Sequence, residues 1–300
     1  MKKMPKLLTV VASVTLLLGA CGTSATVKKD EGSKNANASS GEAAVKVVAG
    51  AELQDGTYSL KEKDFDDHGW KASMGIVVKD GKITESSYNY EDEKGTLKSE
   101  DEGYQKSMSE KTGVGPKEFI PQLNEALVKS QDAQKVDVVT GATHSSETFL
   151  NYAQQLVQAA QNGDTATIEI DTKASLKDGE YSLAEKNIGS TGWKTFINMT
   201  VKDGKITASD YNYLNKDGDL KTNDEGYQEK MTEKTGTGPQ DYIPALNNAL
   251  VDTQNPAEVD VVTGATHSSH TFKMYAAQLI NAAQKGDTSK IEVDNYVYSE

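Results

Sequence analysis

The chain has 300 residues, 36% hydrophobic and 26% charged, with a formal net charge of -13 and one cysteine, Cys21. That length suits two domains with cores of their own, and the charge excludes nucleic acid as a partner, because a phosphate backbone is repelled by such a field. A lone thiol excludes a disulfide, a cysteine-held metal centre and a thioether haem attachment within the chain.

Residues 1–20 are predicted to be an export signal. Lys2, Lys3 and Lys6 form its positive start and Leu7 to Leu18 its apolar stretch, too short to span a bilayer comfortably. Leu18-Gly19-Ala20-Cys21 then resembles the lipobox of bacterial lipoproteins. The resemblance implies cleavage before Cys21 and a diacylglyceryl group on its sulfur, enough to hold a protein stably on the outer face of a cell membrane. Residues 21–50, rich in Ser, Ala, Lys, Asn and Gly without apolar period, read as a flexible tether.

The remainder is an internal repeat. Gly56 returns as Gly179, Trp70 as Trp193 and Asp101 as Asp224, each 123 positions on. A repeat of that length is a whole domain, giving domains at 51–171 and 174–294, a linker near Asp171 to Lys177 and a tail at 295–300. In each unit, strands are predicted at Gly56–Leu60, Trp70–Val78 and Ile83–Tyr90, the last two joined by Asp80-Gly81, a hairpin signal that Asp203-Gly204 repeats. A helix follows around Pro116 to Lys129 with Phe119, Leu123 and Leu127 on one face. Val136 to Val139 reads as a short apolar strand. Ser145 to Gln161 reads as an amphipathic helix with Phe149, Tyr152, Ala153, Leu156, Val157 and Ala160 on its apolar face. The fold class is α+β: two tandem copies of a mainly antiparallel sheet with packed helices.

The longest identity between the copies is Val136 to Ser146 against Val259 to Ser269. It contains Thr140-Gly141-Ala142-Thr143 and Thr263-Gly264-Ala265-Thr266. The glycine permits a tight turn, the alanine a close backbone approach, and the last threonine stands at a helix N-terminus. Unpaired N–H groups and the positive end of the helix dipole favour a phosphate there. Asp137 to Ser146 and Asp260 to Ser269 resemble the flavinylation motif of the FMN-binding domain family, which includes the C subunit of the sodium-pumping NADH:quinone oxidoreductase and the G subunit of the Rnf complex. The resemblance implies FMN joined through a phosphoester to Thr143 and to Thr266, two covalent cofactors in all. It assigns Asp137, Thr140, Gly141 and Ala142, with Asp260, Thr263, Gly264 and Ala265, to the binding motif. It also implies a separate flavin transferase using FAD as donor. Glu110 to Gly115 and Glu233 to Gly238 resemble the family's glycine loop beside the flavin, which adds Gly113, Gly115, Gly236 and Gly238; a helix-entry turn before Pro116 and Pro239 is the other reading.

The layout as a whole resembles flavinylated lipoproteins of Gram-positive extracellular electron transfer. That implies an electron carrier with no catalytic residue of its own, receiving electrons from a membrane quinol pathway through a membrane partner and delivering them to extracellular acceptors such as ferric iron. The alternatives are a non-redox lipoprotein that binds a ligand or peptide, with the signal peptide as a pheromone source, and an enzyme with its own substrate. His144, Ser145 and Asp137 do not form a hydrolytic triad, since adjacent residues in a helix's first turn point apart; the two histidines, His144 and His267, are expected to line the site or face solvent. Four histidines without ligand spacing argue against a metal. Trp70, Trp193, Tyr88, Tyr90, Tyr211 and Tyr213 are expected chiefly as core, with stacking on a flavin the other use. The acidic runs at Glu91 and Asp101 read as solvated loops.

Overall fold

The computed structural model describes residues 46–299. The export signal, Cys21 and most of the tether lie outside the described residues. The first copy runs β2 (Gly56–Glu62), β3 (Lys71–Lys79), β4 (Lys82–Glu91), α1 (Glu102–Thr112), α2 (Pro116–Ser130), α3 (Thr143–Asn162) and β5 (Ile168–Ile170). The second runs β6 (Gly179–Glu185), β7 (Lys194–Lys202), β8 (Lys205–Leu214), α4 (Glu225–Thr235), α5 (Pro239–Thr253), α6 (Thr266–Lys285) and β9 (Ile291–Val293). Two short strands, β1 (Val47–Ala49) and β10 (Val297–Tyr298), pair with each other at the two ends of this folded unit.

Each copy has one four-stranded sheet, in the order β4-β3-β2-β5 and β8-β7-β6-β9. Three strands are antiparallel and the fourth joins parallel at the edge, with Leu60 opposite Ile168 and Leu183 opposite Ile291. The predicted hairpins form. Asp80 and Gly81 both take left-handed angles, φ 51° and 68°, as Asp203 and Gly204 do in the other copy, the pair that lets a two-residue turn match the strand twist. A bulge opposite Val77/Val78 shifts the register, so the inward face of β4 passes from Ile83 to Tyr88 and Tyr90. One extra residue reverses the period-two alternation, and the same bulge in β8, opposite Thr200/Val201, turns Tyr211 and Tyr213 to the inward face that Ile206 also occupies.

Val136 to Val139 is not a strand. The segment is extended but lies on no ladder; the Val139 N–H donates to Ser146 Oγ at 3.0 Å instead, so a side chain supplies the acceptor a neighbouring strand would have given. Asp101 is not a free loop residue either: its carboxylate accepts from the Tyr104 N–H at 2.8 Å and caps α1. The helix it starts has no buried residue and so leaves no apolar period in the sequence. Pro121 is accommodated within α2, where Pro116 supplies the first residue.

The helix read as amphipathic is buried on both sides. Phe149, Tyr152, Ala153, Leu156, Val157 and Ala160 face the sheet as expected, and Asn151, Gln155 and Gln158 are buried too. They meet α6. The Gln155 side-chain amide donates to Asn281 Oδ1 at 3.1 Å, and the Gln278 amide to Gln158 Oε1 at 2.7 Å. Gln155 and Gln278 occupy equivalent places in the two copies, as do Gln158 and Asn281, so the contact is isologous about a pseudo-two-fold axis, the geometry of a symmetric dimer within one chain.

Candidate functional site

In each copy the Thr-Gly-Ala-Thr turn is pinned from both sides. Gly141 sits at φ 84°, and a Cβ there would lie 2.6 Å from the Thr112 carbonyl oxygen, so only glycine fits. Gly264, at φ 82°, is equally closed by Thr235. Ser146, fully buried, donates to the Ala142 carbonyl at 2.9 Å while its oxygen accepts from Val139, tying the turn to the helix; Ser269 repeats this with Ala265 and Val262 at 3.0 and 3.1 Å. Ala142 and Ala265 are buried.

Thr143 is the first residue of α3 and Thr266 the first of α6, with Ala142 and Ala265 at the cap positions. Neither threonine is therefore a capping residue. Both are exposed, and neither hydroxyl forms a hydrogen bond among the described residues. Beside each, the first amides of the helix lack intrahelical acceptors, as at any helix start.

Thr143 opens into a cavity of about 1090 Å³ whose walls include Tyr90, Lys98, Tyr104, Asp66 and Tyr152. Thr266 opens into one of about 520 Å³ walled by Tyr213, Lys221, Tyr227, Trp193 and the tail residues Tyr296 and Tyr298. Under the first, Tyr152 donates to Glu62 Oε1 at 2.5 Å and the Ala72 N–H to Glu62 Oε2 at 2.7 Å. Tyr275 and Thr195 hold Glu185 in the same way, both at 2.7 Å. Burial raises both carboxyls above their usual range against these hydrogen bonds.

Lys98 and Lys221 escaped the sequence reading. Lys98 is 5% exposed, with its ammonium 4.3 Å from the centroids of Tyr90 and Tyr104 and 5.3 Å from that of Trp70. Lys221, also 5% exposed, lies 4.3, 4.1 and 5.7 Å from Tyr213, Tyr227 and Trp193. Neither forms an ion pair or hydrogen bond through its ammonium among the described residues. Burial lowers each to about 8, partly offset by Asp66 and Glu62 at Lys98 and by Asp224 at Lys221. The signal available in the sequence was the Leu-Lys pair kept at 97–98 and 220–221 in loops that share little else beyond Gly95 and Gly218.

The other motif residues fall elsewhere. Thr140, Asp260 and Thr263 are exposed and line none of these walls, and Asp137 lines a separate cavity of about 450 Å³ with His267 and His270. Gly113 ends α1 at φ 82°, and Gly115 precedes α2 with its N–H donating to Glu118 Oε2 at 2.9 Å. Gly236 and Gly238 do the same for α4 and α5. The glycine loop thus backs the Gly141 turn through Thr112 and does not wall the cavity: its backbone freedom is used for helix caps. Tyr88 and Tyr211 are core residues, each with its hydroxyl against a neighbouring tyrosine and a helix-start carbonyl. His144 lines the first cavity and His267 the second.

Fold and site together define a protein that presents one unbonded threonine hydroxyl per copy at the mouth of an aromatic, lysine-bearing cavity. The FMN-binding domain family matches residues 69–158 and again 192–281, and the chain belongs to that family with two copies of its domain. Among known proteins, the 15 kDa lipoprotein of Treponema pallidum is 35% identical over 116 residues, which cover 39% of this chain and 82% of that one. A crystal structure of the CPE2226 protein from Clostridium perfringens is 41% identical, covering 40% of this chain and 99% of that one, at a TM-score of 0.39. A solution structure from Clostridium thermocellum is 26% identical over 36% of this chain, at a TM-score of 0.25.

The residues present fit FMN. Cavities of this size suit a ligand with a three-ring body, for which sites of roughly 300–1,000 Å³ are usual. The helix start offers N–H donors to a phosphate, and the walls offer aromatic faces and one buried cation.

Proposed function

We propose that this chain is a lipid-anchored electron carrier whose two FMN groups are attached through phosphoesters to Thr143 and Thr266. The observation that carries the reading is the repeated one: in each copy an exposed threonine hydroxyl, without a hydrogen-bond partner, begins a helix at the mouth of its own cavity. A modifying enzyme reaches such a hydroxyl readily, and the finished phosphate rests on the helix start. Bound FMN supplies reversible uptake of electrons. The chain's residues do the rest: Gly141 and Ser146 hold the attachment turn, and the aromatic walls exclude water from a ring lying between them.

The lipobox-like Leu18 to Cys21 supports anchoring by lipid, and the relative named a lipoprotein supports it too; the membrane in this reading is the cell membrane of a Gram-positive bacterium, at its outer face. The electron source is a membrane quinol pathway and its membrane partner; the sink is an extracellular acceptor such as ferric iron. Covalent attachment suits a carrier outside the cell, where a lost cofactor is not recovered.

Full-length protein made with and without a flavin transferase tests this. Intact mass and in-gel fluorescence of denatured protein should show two adducts with the transferase, one in Thr143→Ala, one in Thr266→Ala and none in the double variant. Unmodified wild-type protein made beside an active transferase overturns the reading.

A further inference from the structure

The two sites share a frame and differ in charge. Lys98 and Lys221 hold the same position, each a buried ammonium facing a cavity with no carboxylate bonded to it. Burying an unpaired cation is costly unless something else compensates it. The rings around it offset part of that cost; the open side faces the cavity. Around this shared feature the walls diverge. The first cavity is lined by five carboxylates, Glu62, Asp66, Asp67, Glu147 and Glu258, against two lysines, Lys98 and Lys273. The second is lined by two, Asp132 and Glu185, against two lysines, Lys135 and Lys221.

The sharpest difference lies in one turn. Asp66-Asp67-His68 of the first copy stands where the second has Gly189-Ser190-Thr191. The backbone is the same, with the Asp66 N–H donating to the Trp70 carbonyl at 2.6 Å and the Gly189 N–H to that of Trp193 at 2.8 Å. The Asp66 carboxylate accepts from the His68 and Trp70 N–H groups at 2.8 and 2.9 Å, which fixes its place at the cavity wall. Glu62 and Glu185 are equivalent and cancel in the comparison.

Resting on the carrier reading, we propose that Lys98 and Lys221 are the counter-charges of the reduced flavins, and that Asp66 and its acidic neighbours make the flavin on Thr143 the weaker oxidant, so that electrons collect on the flavin at Thr266. The charge balance is direct. A quinol gives up two electrons and two protons and becomes a quinone; the flavin takes both electrons and one proton, and the other proton goes to solvent. One negative charge is left on the ring. A nearby ammonium stabilises that charge and raises the potential; nearby carboxylates lower it. Lys98 and Lys221 are positioning groups for charge, and the turn at 66–68 sets the order of the two sites.

The test uses full-length flavinylated protein. Thr266→Ala leaves only the flavin on Thr143, and Thr143→Ala only the flavin on Thr266; spectroelectrochemical titration gives each midpoint. The flavin on Thr266 should be the easier to reduce by about tenfold in the equilibrium constant, about 30 mV for a two-electron couple. Equal or reversed midpoints overturn the ordering. In the Thr266→Ala background, Lys98→Met should lower the midpoint and Lys98→Arg should restore it. An unchanged midpoint in folded Lys98→Met protein overturns the counter-charge role, as does loss of attached flavin with an unshifted remainder, which would place the lysine at the phosphate. Asp66→Asn should raise the first midpoint and, in the Thr143→Ala background, Gly189→Asp should lower the second. Both are surface changes that keep the turn, so they decide the ordering even if Lys98→Met does not fold; no shift in either overturns it. Absence of flavin from every protein is a separate outcome and overturns the carrier reading beneath this one.

Discussion

The first and second copies present the same Thr-Gly-Ala-Thr turn in unlike surroundings. The first cavity is twice the size of the second and reaches across to the second copy, where Pro256, Glu258 and Lys273 contribute to its wall. The second is closed by Gln134 and Lys135 of the first copy and by the tail, with Lys135 Nζ 2.9 Å from the Tyr298 ring centroid. The helix interface departs from its two-fold symmetry at the same places. Lys273 pairs with Glu147 at 2.7 Å, both buried or nearly so, whereas the equivalent positions hold Leu150 and His270. Duplication therefore kept what presents a hydroxyl and altered what surrounds it. Two copies of one site become two different sites through substitutions in each copy's own walls, at 66–68 against 189–191, and through residues brought in from outside each copy.

The largest effect that bears on this contrast is at the interface pair. Lys273→Met should destabilise the protein by about 3 kcal/mol in urea unfolding, because it leaves a buried carboxylate uncompensated. The equivalent change in the other copy, Leu150→Met, exchanges similar volumes and should cost less than about 1.5 kcal/mol. Equal costs would mean the asymmetry is cosmetic.

Next come the Thr-Gly-Ala-Thr turns. Gly141→Ala and Gly264→Ala each force a Cβ into a left-handed residue against a carbonyl, which should cost about 1–3 kcal/mol. Each should reduce flavin attachment in its own copy while the other copy stays fully modified by mass. Loss in both copies from one substitution would show that the sites are assembled together.

Lys98 and Lys221 sharpen the comparison through pH. Burial lowers both to about 8, below the usual lysine value of 10.5. The unfolded chain therefore holds protons that the folded one has shed, and flavin-free protein should gain stability as pH rises from about 8 toward 10; below pH 8 the penalty is present in full. At about 1.4 kcal/mol per pKa unit the gain is on the order of 2 kcal/mol for each lysine. The double variant Lys98→Met, Lys221→Met should flatten this rise in a thermal melt series. Above pH 10 the buried tyrosines, which burial raises, titrate first in the unfolded chain and reverse the trend.

The smallest effect concerns the tail. Tyr298→Ala removes a ring from beneath Lys135, about 0.5–1 kcal/mol of stability. It should make the flavin at Thr266 more accessible to iodide quenching and leave the flavin at Thr143 unchanged.

Much of this was legible in the linear chain. The 123-residue offset between Gly56 and Gly179 carries the duplication, Asp80-Gly81 the hairpin, and Phe149 to Ala160 the sheet-facing side of α3, because repeats, turns and apolar periods are local patterns. The candidate attachment threonines were legible for the same reason: each lies within one short stretch running from turn to helix. Several features were not. Val136 to Val139 has strand composition but no partner strand to pair with. The bulge that turns Tyr88 and Tyr90 inward depends on cross-strand register. The parallel strands β5 and β9 are three residues long, and their place beside β2 and β6 follows from a crossover through three helices.

The residue order alone determined two α+β units, each with a threonine set at the start of a helix, since those features depend on neighbours within a few positions. Tertiary structure decided what faces those threonines. Lys98 becomes a buried cation only when Trp70, Tyr90 and Tyr104 converge on it from separate elements, and the polar side of α3 is buried only because α6 packs there. Burial and electrostatic surroundings are sums over residues distant in sequence, and no local pattern encodes such a sum.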